Sequence, residues 1–102
     1  MERARVGAVG EFADGALVRV EAGGKEWVVA RDGDDWFAFP DRCTHAKRPL
    51  SDGDFEAGVV TCIYHGATFD LRREGKPTMP AIRPLACHAV AVEGDDVWLT
   101  LG

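Results

Sequence analysis

The sequence predicts an all-β protein, a small antiparallel barrel or sandwich that carries one loop-rich insert. Three observations lead there. Apolar residues recur in short runs, cut at regular spacing by Gly and Asp. No stretch carries the 3.6-residue apolar stripe of an amphipathic helix. The length of 102 residues fits one domain, and a hydrophobic content of 46% is enough to fill its core.

The elements follow in order. Residues 5–9 read as a first strand, and 16–21, with Leu17, Val18 and Val20, as a second. Ala22-Gly23-Gly24-Lys25 is a hairpin turn, because paired glycines accept the positive φ that a tight turn demands. Residues 26–30 form the return strand. Asp32-Gly33-Asp34-Asp35 turns the chain again, and an aromatic-rich strand runs over 35–39 until Pro40 ends it. A segment of different character then begins. Residues 58–62 read as a short strand and 68–71 as another, followed by a charged turn over 72–76 closed by Gly75. Pro77, Pro80 and Pro84 remove amide donors and fix φ, so this stretch reads as a stiff loop. Residues 85–93 return to strand, Gly94-Asp95-Asp96 turns, and 97–101 is the last strand. Trp27, Trp36, Phe37, Phe39 and Trp98 are expected to build the core of the base.

Composition excludes several roles. No run of apolar residues is long enough for a transmembrane helix. The start, Met1-Glu2-Arg3-Ala4-Arg5, lacks the apolar region of a signal peptide, so the expected compartment is the cytoplasm. The net charge of −5 argues against nucleic acid and against an anionic membrane as partner. Three cysteines are too few for a disulfide framework. The acidity is uneven: residues 41–84 hold seven basic and six acidic side chains, and the flanks hold five and eleven.

The chemistry concentrates between residues 43 and 65. Cys43-Thr44-His45 is followed, after sixteen residues, by Cys62-Ile63-Tyr64-His65. Each of two short loops offers one thiolate and one imidazole, which together make a four-ligand site for a transition metal. Zinc fingers group their ligands as a Cys pair and a His pair, whereas here each pair is mixed. A two-iron cluster with two Cys on one iron and two His on the other fits this pattern directly. Tetrahedral zinc on the same four residues is an alternative, and so is a bland reading with buried cysteines and surface histidines.

C-x-H, a gap of this length, and C-x-x-H resembles the signature of Rieske [2Fe-2S] proteins. The flanks agree: Asp41-Arg42-Cys43-Thr44-His45, Pro49-Leu50-Ser51-Asp52-Gly53, Cys62-Ile63-Tyr64-His65-Gly66 and Phe69-Asp70-Leu71. The likeness covers nearly the whole chain. It implies the small antiparallel Rieske fold, with a base from residues 1–40 and 84–102 and a cluster-binding subdomain over 41–83. It also implies a [2Fe-2S] cluster held by Cys43, His45, Cys62 and His65. Histidine in place of two thiolates makes the cluster easier to reduce, which sets the Rieske window at about −150 to +300 mV.

High-potential respiratory members of that family carry a loop-to-loop disulfide and a serine that donates to a cluster sulfide. Arg48 and Tyr64 stand at the disulfide positions here, and Gly66-Ala67 follows the second histidine. The expectation is therefore a potential at the low end of the window. Lys47 and Arg48 read either as a solvated loop tip or as a docking contact for an acidic partner. Gly53, Gly58 and Gly66 read as backbone necessities near the loops. Cys87 alternates with Leu85, Ala89 and Ala91 and is expected in the core, with His88 on the opposite strand face.

The resemblance implies an electron carrier and not an enzyme: a ferredoxin that passes single electrons from a flavin-containing reductase to a terminal Rieske oxygenase. Four protein ligands leave no open metal position for a substrate. Two other readings are a small subunit of an assimilatory nitrite reductase-like complex and a structural zinc module. Nothing in the sequence demands more than a monomer.

Overall fold

The computed structural model describes residues 2–42, 49–62, 66–73, 75–77 and 85–101. They form three antiparallel sheets. The central sheet is a meander of β2 (Leu17–Ala22), β3 (Lys25–Asp32) and β4 (Asp35–Pro40). Its first hairpin turns at Gly23 and Gly24, whose φ values of +59° and +77° are the tight turn expected from the paired glycines. A second sheet joins the two chain ends in the order β1 (Arg3–Ala8), β10 (Asp96–Thr100), β9 (Val90–Glu93). The third is a meander of β5 (Asp54–Glu56), β6 (Val59–Thr61), β7 (Thr68–Asp70) and β8 (Lys76–Pro77).

The run Trp27-Val28-Val29-Ala30 shows how these layers stack. All four residues are buried, which one-sided burial of a strand cannot produce. Trp27 and Val29 face a core shared with Phe12, Ala38, Val97 and Leu99. Val28 and Ala30 face the opposite way, into a core shared with Phe39, Leu50, Val60, Phe69 and Leu85. The central sheet is thus covered on both faces, by the terminal sheet on one side and by the 54–77 sheet on the other.

Two expectations about the core are corrected by this arrangement. The five large aromatics do not share one core. Trp27 and Trp36 pack toward the terminal sheet, while Phe37 and Phe39 pack toward the 54–77 sheet, because successive side chains of β4 point to opposite faces. Trp98 lies between the inward-facing Val97 and Leu99 and so points outward, where the Arg3 guanidinium stacks 4.6 Å from its ring. Cys87 is exposed and not in the core. His88 instead turns inward, with its ring edge-on to Trp27 at 4.6 Å and Nδ1 bonded to the Thr100 carbonyl at 3.0 Å. From residue 87 to 91 the face assignment is inverted, with Cys87, Ala89 and Ala91 exposed and His88 and Val90 turned to the core, while Leu85 is buried as expected. Regular pairing here begins only at Val90, and residues 88 and 38 form a single isolated bridge.

The remaining strands agree with the sequence within a residue or two at most ends, and β5 and β8 are additional to it. Leu71, read as the end of a strand, and Arg72 and Arg73, read as the start of a turn, form one turn of 3-10 helix. No helix among the described residues is long and apolar enough to cross a membrane.

Candidate metal centre

The 54–77 sheet positions the site. Asp54 pairs with Thr61, Thr61 with Thr68, and Phe69 with Pro77. The start of β5, the end of β6, the start of β7 and the end of β8 therefore lie at one end of the sheet. Residues 43–48 precede that end of β5, residues 62–66 join β6 to β7, and residues 78–84 follow β8. Among the described residues, Cys62, Gly66 and Pro77 lie at or next to this end, and Gly53 packs against Thr61 there.

Of the four residues expected to ligate, Cys62 is placed. Cys43, His45 and His65 lie outside the described residues, as do Lys47, Arg48, Tyr64 and the prolines at 80 and 84. Cys62 ends β6 and is 1% exposed, packed with Val60, Ala67 and Phe69. Its amide donates to the Ala67 carbonyl at 2.8 Å, and its carbonyl accepts from the Gly66 amide at 2.8 Å. Two bonds thus close the neck of the 63–65 loop. Gly66 returns the chain at φ +73°, in the left-handed region that disfavours a side chain.

The first loop is closed differently. The Asp41 side chain is fully shielded from solvent. Its two carboxylate oxygens accept from the Ser51 amide and the Ser51 hydroxyl, each at 2.8 Å. Arg19 Nε stands 3.5 Å from the same carboxylate and also pairs with Glu26. Asp41 and Ser51 bracket residues 43–48, so this clip fixes the take-off and landing of the loop. Sequence reasoning quoted both residues as flanks and gave neither a role. Polar residues capable of mutual hydrogen bonding at the two ends of one loop were the available signal.

The necks also touch each other. After the 3-10 turn Leu50–Asp52, the chain passes Thr61 so closely that a Cβ on Gly53 would overlap the Thr61 carbonyl oxygen. Gly53 has an ordinary φ of −86°, so close approach and not turn geometry requires glycine there. A third closure follows the same sheet. Leu85 donates to the Gly75 carbonyl at 3.0 Å, and Gly75 donates to the Asp70 carbonyl at 2.9 Å. Arg72 then ties the sheet to the central layer, bonding Asp35 and Asp32 at 2.5 Å each, with its guanidinium over the Phe37 ring.

A soft metal centre fits these residues. Cys62 forms no disulfide and sits buried at the mouth of a pinned hairpin, where a thiolate needs a cation to be stable. Among the described residues alone, no group of three or more His, Cys, Asp or Glu could hold a metal.

The Rieske [2Fe-2S] domain family matches residues 2–89, and the chain belongs to that family. Its cofactor is a Rieske-type [2Fe-2S] cluster, and it is an electron-transfer protein, not an enzyme. Among its relatives is the ferredoxin component of biphenyl 2,3-dioxygenase from Rhodococcus jostii, 37% identical over 99% of this chain and 94% of that one. The ferredoxin of carbazole 1,9a-dioxygenase from Nocardioides aromaticivorans has the same fold, with a TM-score of 0.89 and 30% identity over 97% of each chain. A complex of reduced oxygenase and oxidised ferredoxin in carbazole 1,9a-dioxygenase matches with a TM-score of 0.87 and 31% identity, over 95% of this chain and 91% of that one.

Proposed function

We propose that this chain is the ferredoxin of an aromatic-ring-hydroxylating dioxygenase system, taking single electrons from a flavin-dependent reductase and delivering them to a terminal Rieske oxygenase. Cys43, His45, Cys62 and His65 hold its cluster, within a cluster-binding subdomain over 41–83. The observation that carries the ligand assignment is the end of the 54–77 sheet where Cys62 is already buried and Gly53 packs against Thr61. When bound, the cluster supplies a one-electron couple.

The chain's own part is to hold that couple still and keep water from it. Asp41 and Ser51 fix one loop, the Cys62–Ala67 pairing fixes the other, and the apolar layer of Val60, Phe69 and Leu85 closes the site from below. The reading also places the potential at the low end of the Rieske window. Ala67 has no side-chain donor, and the amides of Cys62 and Gly66 are engaged within the hairpin. Fewer donors toward the cluster stabilise its more negative reduced form less. A cytoplasmic monomer suits this role.

Electron paramagnetic resonance of the anaerobically purified, dithionite-reduced protein tests the assignment. A rhombic signal of low average g, followed by a redox titration with a midpoint below zero, is the expected result. A signal of all-cysteine type would remove the two histidines from the site. Zinc without iron would remove electron transfer altogether, and a midpoint well above zero would overturn the account of the donors.

A further inference from the structure

The chain has no Asn and no Gln, yet it holds three Asp–Gly bonds, at Asp14, Asp32 and Asp52. Such a bond is open to isomerisation, because glycine puts no side chain in the way of its own nitrogen. That nitrogen attacks the Asp Cγ, a C–N bond forms, and the carboxyl hydroxyl leaves with the amide proton as water. Water then reopens the five-membered imide. Opening at the main-chain carbonyl leaves isoaspartate, with the chain routed through the side chain and one methylene longer. Nothing is oxidised or reduced, and the water lost is regained.

The attacking nitrogen is engaged at all three bonds. Gly15 donates to the Arg31 carbonyl at 2.7 Å, Gly33 to the Asp14 carboxylate at 2.8 Å, and Gly53 to the Leu50 carbonyl at 2.9 Å. The first two form an interlock between the loop before β2 and the turn between β3 and β4. The side chain of Asp14 holds the nitrogen that would attack Asp32, and the carbonyl before Asp32 holds the nitrogen that would attack Asp14. Arg31 Nε also donates to the Gly33 carbonyl at 3.0 Å, which steadies the turn. Arg72 adds a second hold at Asp32. Its Nη2 bonds the carboxylate at 2.5 Å, so Cγ reaches the Gly33 nitrogen only after an ion pair opens.

We propose that Asp32–Gly33 is a latent isoaspartate site, and that Asp14 guards it by occupying the Gly33 amide from the neighbouring loop. A hydrogen-bonded amide keeps its proton and points it at the acceptor, so its nitrogen is neither stripped of that proton nor aimed at Cγ. A bond to a carboxylate that must first break slows the step about tenfold or more. The guard matters because Arg72 ties the 54–77 sheet to the central layer through Asp32 and Asp35. Those two residues are the closing pair of the β3–β4 hairpin. Isomerisation lengthens the main chain there and carries the Asp32 carboxylate off Arg72. The inference does not depend on the electron-carrier reading.

Long incubation of the holoprotein at neutral pH tests it. Digestion with a protease that cuts before Asp and not before isoaspartate, followed by mass spectrometry, reads each bond separately. The same chain kept in guanidinium chloride gives the unprotected rates. Folded, Asp32 should convert about tenfold or more slowly than it does unfolded. Asp14→Ala should raise the folded rate at Asp32 about tenfold, with the rate at Asp52 and the resonance signal of the cluster unchanged. Hydrogen exchange should quicken at the Gly33 amide in the same variant and stay as it was at Gly53. Asp14→Ser keeps a weaker side-chain acceptor and should fall between wild type and Asp14→Ala, and it carries the test if Asp14→Ala does not fold.

Three results overturn the proposal. Asp32 could convert as fast in the folded protein as in guanidinium chloride. Asp32 and Asp52 could quicken together in the variant, which is general loosening and not loss of a guard. Or the variant could free the Gly33 amide and leave Asp32 at the wild-type rate, which would give the protection to Arg72 alone.

Discussion

Replacing Asp41 with Ala removes a side chain that ties the residues on either side of the first loop together. The carboxylate is shielded from water and accepts two hydrogen bonds from Ser51 at 2.8 Å. A hydrogen bond to a charged group contributes about 1.5–3 kcal/mol, and truncation leaves the Ser51 amide and hydroxyl unpaired. Against this stands the relief of no longer burying a carboxylate. The balance is a loss of about 3 kcal/mol, or roughly 12–20 °C in the melting temperature of a domain this size. Asp41→Asn keeps an acceptor for the amide and can meet the hydroxyl through its NH₂, so it should cost only about 1 kcal/mol. Ser51→Ala removes one of the two bonds and should fall near the same value. In the double variant Asp41→Ala with Ser51→Ala the effects should not add, because the hydroxyl bond is lost once. Cluster bleaching in denaturant, measured alongside far-ultraviolet circular dichroism, separates loosening of the loop from loss of the fold. If Asp41→Ala bleaches and unfolds within about 0.5 kcal/mol of the wild type, the clip does not hold the loop and the reasoning fails.

Four further outcomes follow from the same geometry. Gly53→Ala should cost about 3 kcal/mol or more, since its Cβ would overlap the Thr61 carbonyl, and the yield of cluster-loaded protein reads this directly. Phe69→Ala, in the core beneath the site, should cost about 3–5 kcal/mol in chemical denaturation; a value under about 1 would mean that this core collapses to fill the space. Ala57→Asn should stabilise by about 0.5–1 kcal/mol, because Ala57 stands at φ +51° in the β5–β6 turn, where Asn is tolerated better; an unchanged melting temperature would refute it. The hydrogen bond from Arg3 holds the Glu93 carboxyl below its usual pKa of 4.5. A depressed pKa gives stability that is present above 4.5 and lost as pH falls through the folded-state value. The melting-temperature gap between wild type and Arg3→Ala should therefore be constant near neutrality and shrink below pH 4.5. Part of it should persist, because stacking of Arg3 on Trp98 does not titrate with Glu93.

The fold was legible wherever local chemistry decided it. Gly23 and Gly24 required a tight turn, and the strands on either side followed from alternation and length. The family was legible for a different reason, since thiolate and imidazole in two mixed pairs have few uses. Layer membership was not legible. Phe37 and Phe39 look no different in sequence from Trp36, yet they serve another core, because only the third sheet decides what lies across β4. Cys87 failed for a related reason. Alternation gives two faces and does not say which is inward, and His88 takes the inward one by stacking on Trp27 and bonding Thr100. Small alanines at 89 and 91 left the outer face looking as apolar as the inner.

Closure of the necks connects the fold to the work of a one-electron carrier. Such a centre changes its charge by one unit at every turnover, and movement of its surroundings slows the transfer. The chain limits that movement by local means that differ from loop to loop. A buried carboxylate pins the first, a pair of amide bonds the second, and the Gly75–Leu85 bond the third. The Cys62 closure lies at one end of a four-stranded sheet that is only two or three residues deep, and the Gly75 closure, beside Asp70 and Lys76, at the other. So short a sheet has little stability of its own. It gains what it lacks from the central layer, through Val28, Ala30 and Phe39 below and Arg72 at the side. The rigidity of the metal-binding edge is therefore a property of the whole stack, and variants in the central sheet, far from any ligand, should loosen the cluster before they unfold the protein.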